Sequence, residues 1–340
     1  MKTFLKRFIF LAFVVVVLFG CSNNSNANVG KNEDRDTNVE GKKEPTSLFS
    51  YPLTGKVSSE KPDHRAIAVM INNAPQARPQ SGLHKADLVY EILAEGGITR
   101  YLAVFHSEMP EVVGPVRSAR DYYIELAKGL DALFVFHGWS PEAKKMIQSG
   151  YIDNLNGLFY DGTLFKRASF RVAPHNSYIT YENILKGAEK NEYSMRGAPV
   201  AYKFLKEDEE IVGESHQVIE IDYSSDSFEV QYKYDEKEGR YSRYLAGELA
   251  VDLETEEPIK VDNILIVQMD HKIIDKKGRR EIDLNSGGSG YLIQKGKVQE
   301  IEWQNVNGRV VPFKNGKELS LVPGKTWINI VPNLNTVTLK

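Results

Sequence analysis

Two arginines three residues apart dominate the most chemically suggestive stretch of the chain, Gly114-Pro115-Val116-Arg117-Ser118-Ala119-Arg120-Asp121. Ser118 with Asp121 three residues on has the form of an acidic capping box, and Asp121 to Leu130 has helical composition, so a helix is expected to begin there. A helix N-terminus offers unpaired amides and the positive end of its dipole. Arg117, Ser118 and Arg120 beside it would add donors suited to a phosphate or carboxylate. The competing use of the arginines is internal pairing with Asp87, Glu91 or Glu95, because carboxylates on or beside buried strands need partners. We expect one arginine to be structural and one to be available.

Other polar groups follow apolar runs. Asn72 and Asn73 come directly after Ala66–Ile71, and Arg78 lies in the Pro-broken loop Ala77-Arg78-Pro79-Gln80-Ser81-Gly82. Residues just beyond a buried strand point to the carboxyl edge of its sheet, where open sheets tend to place ligands; the asparagines could equally cap turns. Strict alternation puts Glu91 on the face of Val89 and Leu93, where a carboxylate is either paired or pKa-shifted. Arg100 shares a face with Leu102, Val104 and His106 by the same count. His137 leaves another apolar run, and Arg171-Val172-Ala173-Pro174-His175-Asn176 forms a third polar cluster. These residues allow two arrangements. One is a binding surface built from Arg117, Ser118, Arg120, Arg78, Arg100, Arg171, Asn72 and Asn73. The other pairs Glu91 or Glu95 with His137 or His175 as acid and base, with arginines clamping an anionic substrate.

Familiar catalytic signatures are missing. There is no H-E-x-x-H, no Walker loop and no G-x-S-x-G; Gly287-Gly288-Ser289-Gly290 misses that spacing by a residue. The seven histidines have no metal-ligand spacing, so neither a metal nor a cofactor is expected. The sole cysteine, Cys21, follows Lys2, Lys6, Arg7 and the apolar run Phe8–Phe19, and Leu18-Phe19-Gly20-Cys21 has the form of a lipobox. That run is too short for the ~20 residues that span a bilayer. Residues 1–20 are therefore expected to be a signal peptide. Cys21 is expected to carry lipid and hold the body on the extracytoplasmic face of the membrane. Lipidation removes the only thiol, and with it disulfide and thiolate chemistry.

The elements that must position these groups divide into segments. Residues 21–50 are mostly Asn, Ser, Lys, Glu and Asp, the composition of a disordered tether. Residues 51–195 read as an α/β domain with a mixed sheet and flanking helices. Its strands are Ala66–Ile71, a hairpin of Leu88–Leu93 and Tyr101–His106 across Gly96-Gly97, and Ala132–His137. Ser140 and Thr180 are expected N-caps of helices. Residues 196–340 read as a mainly β domain of short strands between Asp, Gly and Asn turns, and the whole body is α+β. A net charge of −3 without a basic stripe argues against nucleic acid.

Arg78-Pro79-Gln80-Ser81-Gly82, Glu95-Gly96-Gly97-Ile98-Thr99-Arg100, Gly114 to Arg120 and Pro174-His175-Asn176 together resemble the run of motifs in the YerB-like bacterial lipoprotein family. Leu321-Val322-Pro323-Gly324-Lys325-Thr326-Trp327-Ile328, with Asn315-Gly316 upstream, is similar to the end of that family's second domain. The resemblance implies a two-domain α+β body on a lipid anchor, and it supplies no activity and no catalytic residues. The expected function is binding of a cell-envelope protein or anionic glycan. The alternative is a hydrolase or transferase on an envelope substrate.

Overall fold

The computed structural model describes residues 48–340; the signal segment, Cys21 and the tether as far as residue 47 lie outside them. Strand β1 (Ile67–Asn72) is buried at every position, as a run without polar alternation requires. Strands β2 (Leu88–Glu95) and β3 (Ile98–Phe105) form the hairpin expected from Gly96-Gly97. Helix α1 (Asp121–Gly129) follows, then β4 (Leu133–Phe136), α2 (Pro141–Gln148) and β5 (Asn154–Asn156), which together make a βαβ unit because β4 and β5 are parallel. The short α3 (Gly157–Tyr160), β6 (Phe165–Arg167), β7 (Ser177–Thr180) and α4 (Tyr181–Lys190) complete this half. Ser140 Oγ accepts from the Ala143 amide at 3.1 Å and Thr180 Oγ1 from the Asn183 amide at 3.2 Å, so both of these caps form.

The cap of α1 differs from expectation. Arg120 occupies the N-cap position without a side-chain cap, and Ser118 Oγ donates instead to the His137 carbonyl at 3.0 Å. Ser118 lies in extended chain two residues before the cap, so the acidic box cannot close.

The second half supplies β8 (Val218–Ile221), β9 (Val230–Asp235), β10 (Arg240–Leu245), β11 (Asn263–Gln268), β12 (Gly288–Gln294), β13 (Lys297–Val306), β14 (Arg309–Lys314), β15 (Thr326–Val331) and β16 (Val337–Leu339). Asp226–Phe228 closes a 3-10 turn just before β9. The β12–β13 hairpin turns through Lys295 and Gly296 at φ 49° and 75°, the paired positive values of a tight two-residue turn.

One twelve-stranded sheet contains strands of both halves. Its order runs from a short edge strand, Lys317–Glu318, through β14, β13, β12, β11, β15, β2, β3, β1 and β4 to β5, and the twelfth strand, Glu214–Ser215, pairs with β13 beside this path. The join is the parallel pair β15–β2, with Thr326 opposite Leu88 and Ile330 opposite Ile92. Residues 48–340 form one compact unit. The described residues are 15% helical and 43% strand, so mixed sheets with few helices describe them better than the α/β character expected of the first half. The β1, β4 and β5 region, with α2 as its crossover helix, comes nearest to that character.

Alternation assigns the two faces of the sheet. Ala68, Met70, Tyr90, Ile92, Leu102 and Ile328 pack with Tyr123, Leu126 and Ala127 of α1. Val69, Ile71, Val89, Leu93, Tyr101 and Trp327 face the other way, against Ile219, Tyr232 and Tyr241 of a second, six-stranded sheet built on β8, β9 and β10. Glu91 has the parity of Val89 and Leu93 and so points between the sheets. Its Oε2 accepts from Arg243 Nη2 at 2.8 Å and from Trp327 Nε1 at 3.1 Å; its Oε1 accepts from Thr99 Oγ1 at 2.9 Å. The Glu91 and Arg243 side chains are 0% and 1% exposed. Burial works against the charge on Arg243, but Glu91, Tyr232 and Tyr101 outweigh it and hold the guanidinium pKa above its ordinary value.

Removing one member of such a pair leaves an uncompensated buried charge. Arg243→Met should therefore lower the urea-unfolding free energy by about 3–5 kcal/mol, and adding Glu91→Leu should recover much of the loss. A single variant within about 1 kcal/mol of the parent would mean that the pair does not fasten the sheets.

Candidate functional site

At the carboxyl end of β1 and β4 the two strands part, and residues 116–119 fill the gap in extended conformation. The Arg117 amide donates to the Met70 carbonyl at 2.8 Å, and the His137 amide donates to the Arg117 carbonyl at 2.9 Å. The Val116 amide reaches the Ser177 carbonyl at 2.6 Å, which brings β7 to the same place. The backbone of Arg117 is thus fixed on three sides, while its half-buried guanidinium makes no hydrogen bond or ion pair with any described residue. Burial, with the nearby charge of Arg100, lowers its pKa to about 10, so it remains charged at pH 7 without a counter-charge.

The two histidines beside it have different freedoms. His137 Nε2 is 3.0 Å from Arg167 Nη2, and a guanidinium can only donate. Nε2 must therefore accept, Nδ1 carries the proton, and it donates to Ser177 Oγ at 2.8 Å. Gly157 closes over this ring: a Cβ there would sit 2.2 Å from His137 Nδ1. Burial and the Arg167 charge lower the His137 pKa. His175 is oriented by Asn72, whose Oδ1 accepts from the Ala74 amide at 3.0 Å, leaving Nδ2 to donate to His175 Nδ1 at 3.0 Å. The neutral ring consequently carries its proton on Nε2, which makes no hydrogen bond with a described residue. Burial, then Arg117 and Arg171, lower the His175 pKa.

The other candidates are distributed as follows. Arg171 lies near Arg117 but donates to the carbonyls of Ala77 and Pro79 and to Tyr178 Oη at 2.6–2.9 Å. No carboxylate neutralises it. Arg100 and Arg120 both pair with Glu95, Arg100 at 2.7 Å, and Arg100 also donates to the Ser118 carbonyl at 2.7 Å. Arg78 donates to Asn73 and to the Ser227 carbonyl, and its guanidinium lies 4.8 Å from the Phe228 ring centre. Asn73 Nδ2 donates to Thr99 Oγ1 at 2.7 Å and thereby joins the Glu91 network. Arg117, His175, Asn72, Arg171 and His137 share one surface, whereas Glu91, Glu95, Arg100, Arg120, Arg78 and Asn73 are committed to internal contacts. Neither carboxylate of the expected acid–base set bonds either of its histidines.

Two features were not read from the sequence. Arg243 sits on the buried face of β10 with Tyr241 and Leu245, a parity visible in Tyr-Ser-Arg-Tyr-Leu that marks a charge in need of a buried partner. His84 Nδ1 lies 2.7 Å from Asp252 Oδ2 beside a cavity of about 260 Å³ lined also by Lys85, Glu111 and Glu254. Asp252 accepts further from the amides of Gly82, Glu254 and Thr255, so it pins a turn of the second half to the Ser81–Gly82 loop. Among the described residues, no group of three or more His, Cys, Asp or Glu is arranged to hold a metal ion.

Residues 53–194 match the N-terminal domain, and residues 219–328 the C-terminal domain, of a family described as protein of unknown function (DUF3048). The chain belongs to this family. Within DUF3048 it is 51% identical over 291 residues to a Bacillus subtilis (strain 168) protein named "Putative lipoprotein YerB", covering 85% of this chain and 88% of the relative. The crystal structure of the YerB protein from Bacillus subtilis superimposes with a TM-score of 0.81 at 50% identity, covering 86% of this chain and 99% of that one. The family is described as one of unknown function, so no activity comes with it.

An unpaired, half-buried cation contributes nothing to folding that a neutral chain of similar volume would lack. Arg117→Met should therefore leave the melting temperature unchanged or raise it, while Arg120→Met, which strips a partner from Glu95, should lower it. Thermal unfolding at pH 7 checks both. Equal losses in the two variants would show that Arg117 has a structural partner after all.

Proposed function

We propose that this DUF3048 chain is an extracytoplasmic, lipid-anchored binding protein that holds an anionic ligand or partner of the cell envelope at Arg117. The observation that carries the reading is the charged guanidinium without an acceptor, on a surface where the nearby free group, His175 Nε2–H, is also a donor. A donor-only site suits an acceptor-only ligand such as a phosphate or carboxylate. Residues 51–195 would carry this site, with 196–340 as its support. The alternative, hydrolysis or group transfer by Glu91 or Glu95 with a histidine, is less well supported. Both carboxylates are consumed by arginines, and His137 is held as an acceptor for Arg167.

Inorganic phosphate should raise the melting temperature of the protein and should fail to do so for Arg117→Ala. His175 is neutral at pH 7 because its pKa lies below the ordinary 6.5. A bound anion favours its protonated form, so affinity for sulfate, whose charge is constant over this range, should strengthen as the pH falls below about 6.5. The strengthening should vanish in His175→Gln. A phosphate response independent of Arg117 would defeat the reading.

The anchor follows from the lipobox at Cys21 and from the name of the relative, and no described helix is long and apolar enough to cross a membrane. Cys21→Ser should shift the protein from the membrane fraction to the medium or leave an unprocessed precursor. A processed Cys21→Ser protein that stays on membranes would remove the anchor from the proposal.

A further inference from the structure

Exposed apolar side chains flank the Arg117 surface. Phe159 and Phe170 are 70% and 66% exposed, with Leu158 and Val172 beside them. They are joined by a continuous rim. Phe159 lies 5.7 Å from the Trp139 ring, and Gly157, two residues before it, packs on His137. His137 contacts Arg167, and Arg167 Nη1 donates to Asn176 Oδ1 at 3.1 Å. Asn176 Nδ2 donates to the Arg171 carbonyl at 3.3 Å, and the Arg171 guanidinium lies 5.4 Å from the Phe170 ring. The rings thus stand at the ends of a cationic track instead of forming one compact apolar patch.

Several acceptors along this track already take donors. Asp161 and Asn176 serve Arg167, the carbonyls of Ala77 and Pro79 serve Arg171, and the Phe165 carbonyl at the edge of β6 takes the Gly162 amide at 2.9 Å. A peptide laid here would bring amides that compete for these shared acceptors, whereas a diester brings acceptors to the unpaired donors. The described chain enters the fold away from this rim. Tyr51, three residues into the described chain, packs on His106 beyond β3, and β3 runs antiparallel to β1 with Phe105 opposite Ile67 and Arg100 opposite Asn72. The chain before Leu48 therefore joins the fold at the end of the sheet remote from Arg117, about 17 Å along β1 at ~3.3 Å per residue.

Resting on the anion-binding reading, we infer that the ligand is a phosphodiester-linked polyol or sugar chain lying along the rim from Phe159 to Phe170, with one phosphate on Arg117 and His175. Each diester brings a permanent single charge and acceptor oxygens for the guanidinium fork. The carbon faces of the adjoining polyol or sugar units lie on the exposed rings, where their polarised C–H bonds meet the negative ring face. Binding then gains from several units at once, which inorganic phosphate cannot match.

The test titrates the Cys21→Ser chain, free of lipid, in detergent-free buffer with a glycerol-phosphate oligomer, inorganic phosphate, polyglutamate of matched charge, and phosphatidylglycerol vesicles. The oligomer should bind at least about tenfold more tightly than phosphate or polyglutamate. Phe159→Ser with Phe170→Ser should erase that advantage while leaving the Arg117-dependent response to phosphate intact. Polyglutamate equal to the oligomer, vesicle binding that depends on the two phenylalanines, or an oligomer affinity indifferent to them would each overturn the inference. Loss of the phosphate response itself in the parent protein would instead bring down the anion-binding reading beneath it.

Discussion

The buried ion pair between Glu91 and Arg243 is the constraint on which the rest of the structure turns. A carboxylate on β2 and a guanidinium on β10 face each other between two sheets, with Thr99 and Trp327 taking the remaining acceptor capacity of Glu91. The pair spans the two halves of the chain, so neither the register of β10 nor its sheet's placement can slip without stranding a charge. Its influence reaches further through Thr99 to Asn73, and from Asn73 to Arg78, which in turn holds the Ser227 carbonyl. Residues that look like a polar ligand loop in the sequence are thereby recruited to fasten the sheets.

Competition for carboxylates then decides what each arginine near β1 can do. Glu95 accepts both Arg100 and Arg120, and Asp161 accepts Arg167. Arg171 manages with carbonyls and a tyrosine hydroxyl, and Arg117 has no partner among the described residues. Because its backbone is hydrogen-bonded to β1 and to the chain after β4, Arg117 cannot retreat far into solvent. An arginine held in that manner is costly unless a ligand supplies the missing acceptor.

Much of this was legible in the sequence. The unbroken apolar run of β1, the Gly96-Gly97 hairpin, the caps at Ser140 and Thr180 and the spacing of strands after residue 217 all rest on local chemistry, and local chemistry decides them. What could not be read is long-range. Ser118 has a capping composition, yet its hydroxyl goes to His137 because residues 116–119 are drawn into the sheet edge. The parity of Glu91 announced that it needed a partner, but the partner stands 152 positions away on β10. Alternation in Tyr241-Ser242-Arg243-Tyr244-Leu245 held the matching signal, and only pairing two charges on two apolar strand faces would have joined them. The split between spent and available arginines depends on the same kind of distant contact, since Arg100, Arg117 and Arg120 are alike in composition and differ only in where Glu95 lies.

The tautomers of the two histidines carry the argument from structure to function. Arg167 compels His137 to accept, and Asn72 compels His175 to present a proton outward. A general base must offer a lone pair to its substrate, and a nucleophile must have such a base beside it. Here the one lone pair on His137 Nε2 faces a cation, the one on His175 Nδ1 faces an amide, and the groups left to meet a ligand are both donors. Such an arrangement suits an anion and offers it no free histidine lone pair. Catalysis would require Arg167 to release His137, and that arginine is itself tied to Asp161 and Asn176. The restraints that orient the site are therefore the same ones that occupy both histidine lone pairs.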